Sequence, residues 1–201
     1  MDPNTDPLVP RQGDALLLVD VQRDFLPGGA LGVPGGDRVL APLNDCIALF
    51  TGRRLPVYAT RDWHPADHCS FRQQGGPWSP HCVAGSAGAG FADALRLPPD
   101  AIVVSKGCAA RHEAYSGFAG TSLEAELHLA GVRRLFIGGL ATDYCVLQTV
   151  LDARERELDV VLIADAVAAV DVQPGDGERA LARMQRAGAV VSDSLRVRGL
   201  A

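Results

Sequence analysis

Three side chains far apart in the sequence, Asp20, Lys106 and Cys145, are of the types that together make and use a thiolate. A carboxylate can take a thiol proton and return it to a leaving group. An ammonium can hold the resulting thiolate, and the sulfur can attack an acyl carbon. Cys145 follows Gly138-Gly139-Leu140-Ala141-Thr142. That stretch reads as a tight turn into a helix with Thr142 as N-cap. The dipole of such a helix lowers a thiol pKa, and its unpaired backbone N–H groups can hold an oxyanion. Lys106 is the one lysine among 19 basic residues, the rest being arginine. A position that keeps lysine against that bias asks for a compact charge with a tunable pKa. Each residue also has a plain reading: a lysine kept by chance, a small core cysteine, a satisfied strand-end carboxylate. The three together favour catalysis.

A second cluster holds Asp62, His64, His68 and His81. Asp62 and His64 are two apart, so in extended chain both point to one side. A mixed set of imidazole and carboxylate suits one divalent metal ion, zinc first, with manganese or iron as alternatives. Cys69 and Cys82 directly follow His68 and His81, so a structural zinc site using a thiol from either pair competes. Exposed loop histidines are the third reading. His112 and His128 have no such partners and read as surface or packing residues. The cysteines number five (Cys46, Cys69, Cys82, Cys108, Cys145), an odd count that argues against a disulfide framework. Aromatics are scarce, yet Phe25, Trp63, Phe71, Trp78, Tyr115 and Phe118 fall in expected loops. They predict a flat apolar pocket, or in part a secondary core under the loops.

The elements that must position these residues are legible in the apolar runs. Strands are expected at 15–20, 55–60, 101–105, 134–138, 159–163 and 189–192. They are Val/Ile/Leu-rich with little alternation, as strands buried on both faces are. Helices are expected at 36–51, 121–130, 143–157 and 176–187. The second of these opens on a capping-box pattern, Thr121-Ser122-Leu123-Glu124. The alternation predicts a single α/β domain at 14–201: an open, mainly parallel six-stranded, Rossmann-like sheet with helices on both faces. Residues 1–13 read as a flexible tail. In such a sheet, ligands bind beyond the carboxyl ends of the strands. Asp20, Asp62/His64, Lys106 and Cys145 all follow or end a strand. The loop at 61–100 is long enough to be functional.

Composition narrows the partners. The chain has 201 residues and a net charge of −5, which gives no basic surplus for nucleic acid. No apolar run approaches a membrane span, and the N-terminus lacks a signal-peptide pattern. The expected location is cytoplasmic, the expected partner a small molecule, and homo-oligomerisation is left open.

Six segments in order carry a family resemblance. They are Asp20-Val21-Gln22-Arg23-Asp24-Phe25, Asp62-Trp63-His64-Pro65-Ala66-Asp67-His68, Trp78-Ser79-Pro80-His81-Cys82-Val83, Lys106-Gly107, Glu113-Ala114-Tyr115-Ser116-Gly117-Phe118 and Gly139-Leu140-Ala141-Thr142-Asp143-Tyr144-Cys145-Val146. Together they resemble the nicotinamidases (pyrazinamidases) of the isochorismatase-like cysteine hydrolases. The resemblance implies hydrolysis of nicotinamide to nicotinate and ammonia in NAD salvage, and of pyrazinamide, through a cysteine thioester. It implies a triad of Asp20, Lys106 and Cys145. It implies metal ligands Asp62, His64 and His81, with His68 as a possible further ligand, and a metal that positions the pyridine nitrogen. It implies oxyanion donors at the backbone N–H groups of Ala141 and Cys145, a cis peptide between Leu140 and Ala141, and pocket residues Phe25, Trp78 and Tyr115. The short loop from Phe71 to Trp78 and the individual 107–113 segment put substrate breadth in question. An amidohydrolase acting on an N-carbamoyl or ureido substrate would keep the triad without needing the Asp/His/His set. A non-catalytic metal-binding domain would have no use for the triad.

Overall fold

A computed structural model describes residues 8–199; residues 1–7 of the expected tail lie outside the described residues. Pro10 is buried, and its carbonyl accepts a hydrogen bond from Arg53 at 2.9 Å. Six strands form one sheet: β1 (Asp14–Val19), β2 (Val57–Asp62), β3 (Ile102–Lys106), β4 (Arg134–Leu140), β5 (Asp159–Ala168) and β6 (Val190–Ser192). All pairings are parallel and the order is β3-β2-β1-β4-β5-β6.

Five α-helices accompany them: α1 (Leu40–Gly52), α2 (Leu123–Leu129), α3 (Leu147–Glu155), α4 (Asp176–Arg186) and α5 (Ser194–Val197). The period-2 geometry of β1 divides its side chains between two cores. Leu16 and Leu18 join Leu43, Cys46, Ile47 and Phe50 of α1, and Val197 of α5. Ala15, Leu17 and Val19 join Leu123 and Leu127 of α2, Val150 and Ala153 of α3, and Ala180 and Met184 of α4. The α1 residues recur at helical spacing, so one stripe faces the sheet. Phe50 meets Phe136 edge-on at 5.3 Å. Each such side chain contributes roughly 1.5–3 kcal/mol by leaving water.

Two local expectations are corrected, and one short helix was not expected. Ala141, in extended conformation, occupies the cap position, while Thr142 is buried inside a π-helical turn, Thr142–Val146, that leads into α3. The wider turn begins as the chain leaves the cis Leu140–Ala141 peptide. The capping box does not form. Ser122 makes no side-chain cap, Thr121 Oγ1 accepts from Leu123 N at 3.2 Å, and Glu124 turns outward to Arg156 at 3.0 Å. An exposed arginine within reach competes with the backbone for that carboxylate. The short α5, too brief to show periodicity, is set by Asp193, whose Oδ1 accepts from Arg196 N at 2.8 Å.

The sheet order decides where a ligand can sit. From β1 the chain moves outward to β2 and β3, and from β4 it moves the other way to β5 and β6. The crevice between β1 and β4 is therefore the topological switch point. Val19 lies opposite Gly139, and Asp62 opposite Lys106. A Cβ on Gly139, at φ 128°, would lie 2.1 Å from the Val19 carbonyl oxygen, so glycine is needed where the two strands close on each other. Asp20 leaves β1 and Cys145 follows β4 on either side of this crevice. The long loop folds back over the same edge, with His64 bridging to Val83 and Gln22 to Phe91. No helix among the described residues is long and apolar enough to cross a membrane.

Candidate active site and metal centre

Lys106 is the hub of the site. Its side chain is fully buried at the end of β3, and its Nζ lies 2.8 Å from Asp20 Oδ2 and 2.6 Å from Asp62 Oδ1. It donates to the Ala114 carbonyl at 3.1 Å and to Cys145 Sγ at 3.4 Å. Asp20, Asp62 and Cys145 place a carboxylate oxygen or sulfur each within 4.8 Å of one another. Asp20 adopts φ 50° and is anchored through Oδ1, which accepts from Thr60 Oγ1 at 2.7 Å. Its Oδ2 is held by the lysine charge alone and has no hydrogen-bond partner. A buried acceptor left open beside a thiol is placed to take a proton.

The electrostatics follow from one cation between two carboxylates. Burial would neutralise Lys106, but Asp20 and Asp62 outweigh it and raise the ammonium well above its ordinary pKa. Burial also opposes ionisation of Asp62. There Lys106 and His64 win, and the carboxyl falls below the usual carboxylate range. Asp20 is raised by burial and by Asp62, against Lys106. The expectation of a lowered Cys145 pKa is overturned. Burial pushes the thiol well above its ordinary value, and although Lys106 pulls it down, Asp20 and Asp62 add to the rise. With both aspartates ionised the cluster already carries one net negative charge, and a thiolate would double it. Transfer of the thiol proton to Asp20 leaves that net charge unchanged, so the thiolate forms only as Asp20 is protonated.

Asp62 joins this cluster to the histidines. Its Oδ2 lies 3.5 Å from His64 Nε2 and 4.0 Å from His81 Nε2. His64 Nδ1 donates to the Gly107 carbonyl at 3.0 Å, and His81 Nδ1 to the Ser79 carbonyl at 2.8 Å. Both tautomers therefore leave the Nε2 lone pair facing Asp62, the arrangement of metal-ligating histidines with outer-shell acceptors. Three donors within 4.8 Å of one another fit a common ion at about 2.0–2.2 Å from each. Asp62, His64 and His81 thus fit a divalent metal, with nitrogen and oxygen donors.

His68 stacks on His64 at 4.1 Å, but both of its nitrogens are engaged. Nε2 donates to the His112 carbonyl at 3.1 Å, and Nδ1 accepts from Ser70 Oγ at 2.7 Å. Neither Cys69 nor Cys82 joins a donor cluster among the described residues. Cys82 is buried, which raises its thiol pKa.

The backbone of this half-site is clamped by two side chains that sequence reasoning left without a role. Gln22 is fully buried. Its Oε1 accepts from Asp62 N at 2.7 Å, and its Nε2 donates to the Asp62 carbonyl at 2.8 Å and the Ala89 carbonyl at 2.9 Å. Asp24 Oδ2 accepts from Cys82 N at 2.7 Å and so fixes the residue after His81. The available signal was their place in the segment opened by Asp20; their partners are too distant in sequence to read.

Gly107 carries a separate constraint. At φ 61° a Cβ would lie 2.4 Å from His64 Cε1. Gly107→Ala should displace the imidazole and lower metal affinity by roughly 10- to 100-fold, the usual cost of disturbing an outer shell. Titrating metal into stripped protein measures it, and unchanged affinity would refute the claim. Affinity should also depend on pH. Burial opposes protonation of His64, but Asp62 raises its pKa above the ordinary 6.5. Protons therefore compete for this ligand from above that value, and affinity should fall as pH drops through it. The same titration at several pH values checks the sign.

A cavity opens beside both clusters. Cys145, Ala141, Asp62, His64 and His81 form its floor, with Phe25, Trp78 and Tyr115 in its walls. Trp78 Nε1 donates to Tyr115 Oη at 2.9 Å. Tyr144 completes the aromatic side, 5.1 Å from Trp78 and 5.8 Å from Tyr115. Sequence reasoning missed Tyr144 as a wall, although it adjoins Cys145. The other loop aromatics go elsewhere. Phe71 packs edge-on beneath His64 and His81, Phe118 enters the core with α2, and Trp63 lies under the Arg61 guanidinium at 3.8 Å.

The Isochorismatase domain matches residues 14–195. The chain belongs to the isochorismatase family. It is 39% identical over 198 residues to a nicotinamidase of Escherichia coli, covering 88% of this chain and 93% of the relative. A crystal structure of pyrazinamidase of Pyrococcus horikoshii in complex with zinc superposes with a TM-score of 0.87 at 46% identity, covering 90% of this chain and 99% of that one. The structure of PnC1 from L. infantum in complex with nicotinate gives 0.85 at 39% identity, covering 94% and 96%. The isochorismatase fold thus carries the six-stranded sheet and the crevice described above.

Proposed function

We propose that this isochorismatase-family protein hydrolyses nicotinamide to nicotinate and ammonia, and pyrazinamide likewise. The observation that carries the reading is the joining of the two clusters through Lys106, which pairs with both Asp20 and Asp62 beside the sulfur of Cys145. A thiol alone could serve many acyl transfers. A thiol fused to an Asp/His/His centre under an aromatic cavity suits a flat amide whose ring carries a ligating nitrogen.

Asp20 takes the Cys145 proton while Lys106 holds the sulfur. The thiolate attacks the carboxamide carbon, and the backbone N–H groups of Ala141 and Cys145 hold the oxyanion. Asp20 returns the proton to the departing ammonia, leaving a thioester on Cys145. Water then attacks the thioester carbon as Asp20 accepts its proton, and the released sulfur is reprotonated. Asp62, His64 and His81 hold a divalent metal, zinc in first place, which supplies a Lewis-acid point for the pyridine nitrogen. Phe25, Trp78, Tyr115 and Tyr144 enclose the ring. His68 orients His64 by stacking rather than by ligation.

The test is ammonia release from nicotinamide by metal-loaded and metal-stripped protein. Release from the loaded form that falls on stripping and returns on reloading supports the reading. No release from folded, loaded protein overturns it.

A further inference from the structure

The π-helical turn that carries Cys145 also holds one wall of the cavity. Asp143, two residues before the sulfur, accepts two consecutive backbone N–H groups of the segment leaving β5: Val170 N on Oδ1 and Asp171 N on Oδ2, each at 2.9 Å. Asp171 sits at φ 52°, and its own Oδ1 accepts from Gly177 N in the first turn of α4 at 2.8 Å. The segment is thus gripped from both sides, by the nucleophile's turn and by α4. Between these grips Val170 lines the cavity, as Ala141 and Tyr144 do, and packs in the same apolar cluster as they do. Neither role assigned above involves Asp143. Its carboxylate spends both oxygens on a loop and none on the sulfur.

We propose that Asp143 is a positioning residue that sets substrate selectivity, holding Val170 at a fixed distance from Cys145 so that a flat six-membered ring is gripped and a wider one excluded. The physical reason is that two adjacent N–H groups donating to the two oxygens of one carboxylate fix both the height and the rotation of the segment. A loop leaving a strand has no ladder to do this for it. The inference rests on the proposed amidase reading for its substrate, but not for its geometry.

The experiment uses metal-loaded protein with Asp143→Asn, Val170→Ala and the double variant. Asn keeps one accepting oxygen and presents an NH₂ to the other N–H, so one hydrogen bond is lost. KM for nicotinamide should rise roughly tenfold with kcat within about twofold, the pattern of lost ground-state grip. Activity toward 5-methylnicotinamide relative to nicotinamide should rise. Val170→Ala should do the same, and the double variant should add little, because both act through one wall. An unchanged KM, a fall confined to kcat, or additive effects would overturn the proposal.

If the wild type releases no ammonia at all, the amidase reading has failed, and the wall is read without a substrate. Cys145 is alkylated with iodoacetamide or with N-phenylmaleimide and quantified by peptide mass spectrometry. Asp143→Asn should raise the bulky-to-small ratio several-fold, and an unchanged ratio overturns the proposal.

Discussion

Cys145→Ala should lower ammonia release from nicotinamide by at least about 10,000-fold, the scale on which removal of a catalytic nucleophile acts. The reason is geometric as well as chemical. Sγ is the nucleophilic atom that lies within 4.8 Å of the Asp20 carboxylate and 3.4 Å from the Lys106 ammonium. Water drawn into the vacated space would have to attack the amide directly, without a thioester to divide the barrier. The variant should still fold. Cys145 is buried but small, and alanine keeps its Cβ, so the expected stability loss is about 1 kcal/mol. Metal affinity should change little, since Asp62, His64 and His81 are all retained. Acid-quenched wild type under turnover should show a nicotinoyl adduct on the Cys145 peptide, and the variant none. Activity within tenfold of wild type would sink the thioester mechanism and leave the metal site as the place to look.

Lys106→Met should be costly in two separate ways. It removes the partner of two buried carboxylates, Asp20 at 2.8 Å and Asp62 at 2.6 Å. Removing one side of a buried ion pair costs about 3–5 kcal/mol, because the remaining charge stays desolvated. Activity should vanish with it, as Asp20 and Cys145 lose the cation between them. Lys106→Arg should not rescue. A planar guanidinium needs more room than a site enclosed by Asp20, Asp62, Ala114 and Cys145 provides.

The pH dependence of that loss has a defined sign. In the wild type the folded Lys106 pKa lies above its ordinary 10.5, so its contribution is present below that value and is lost as pH rises through the folded pKa. In the variant, Asp20 and Asp62 lose the cation that lowers both, and Asp20, already raised above 3.8 by burial, should rise further. The folded state then binds more protons than the unfolded one, so the deficit should shrink as pH is lowered from 7 towards 5. Adding Asp20→Asn to the variant should recover part of the stability at pH 7 and none of the activity. Denaturant unfolding at both pH values measures this. A deficit under about 1 kcal/mol, the scale of an exposed pair, would show that Lys106 is not the hub.

Much of this molecule is written locally. The Val/Ile/Leu runs mark all six strands, most clearly β1, which is buried on both faces and so must be apolar along its length, although β5 runs five residues past its expected end. The α1 stripe of Leu43, Cys46, Ile47 and Phe50 marks its helix for the same kind of reason. The reactive types, Asp20, Lys106, Cys145 and the Asp62/His64/His81 set, stand out by identity and by their place at strand ends.

What tertiary structure alone decided depends on distance and burial. The opposition of Asp62 and Lys106 across β2 and β3 is a matter of strand register, and it turns two separate clusters into one. The Cys145 thiol is raised instead of lowered because burial and two carboxylates outweigh a nearby cation, a balance no linear spacing reveals. His68 looks like its neighbours in the sequence, yet Ser70 and the carbonyl of distant His112 occupy both of its nitrogens. Asp143 is in the sequence only the first residue of the helix expected at 143–157, and it is β5 that brings Val170 and Asp171 to its carboxylate. Residue types and local periodicity are properties of the chain. Register, desolvation and hydrogen-bond partners are properties of segments meeting, and they exist only once the sheet has closed the crevice between β1 and β4.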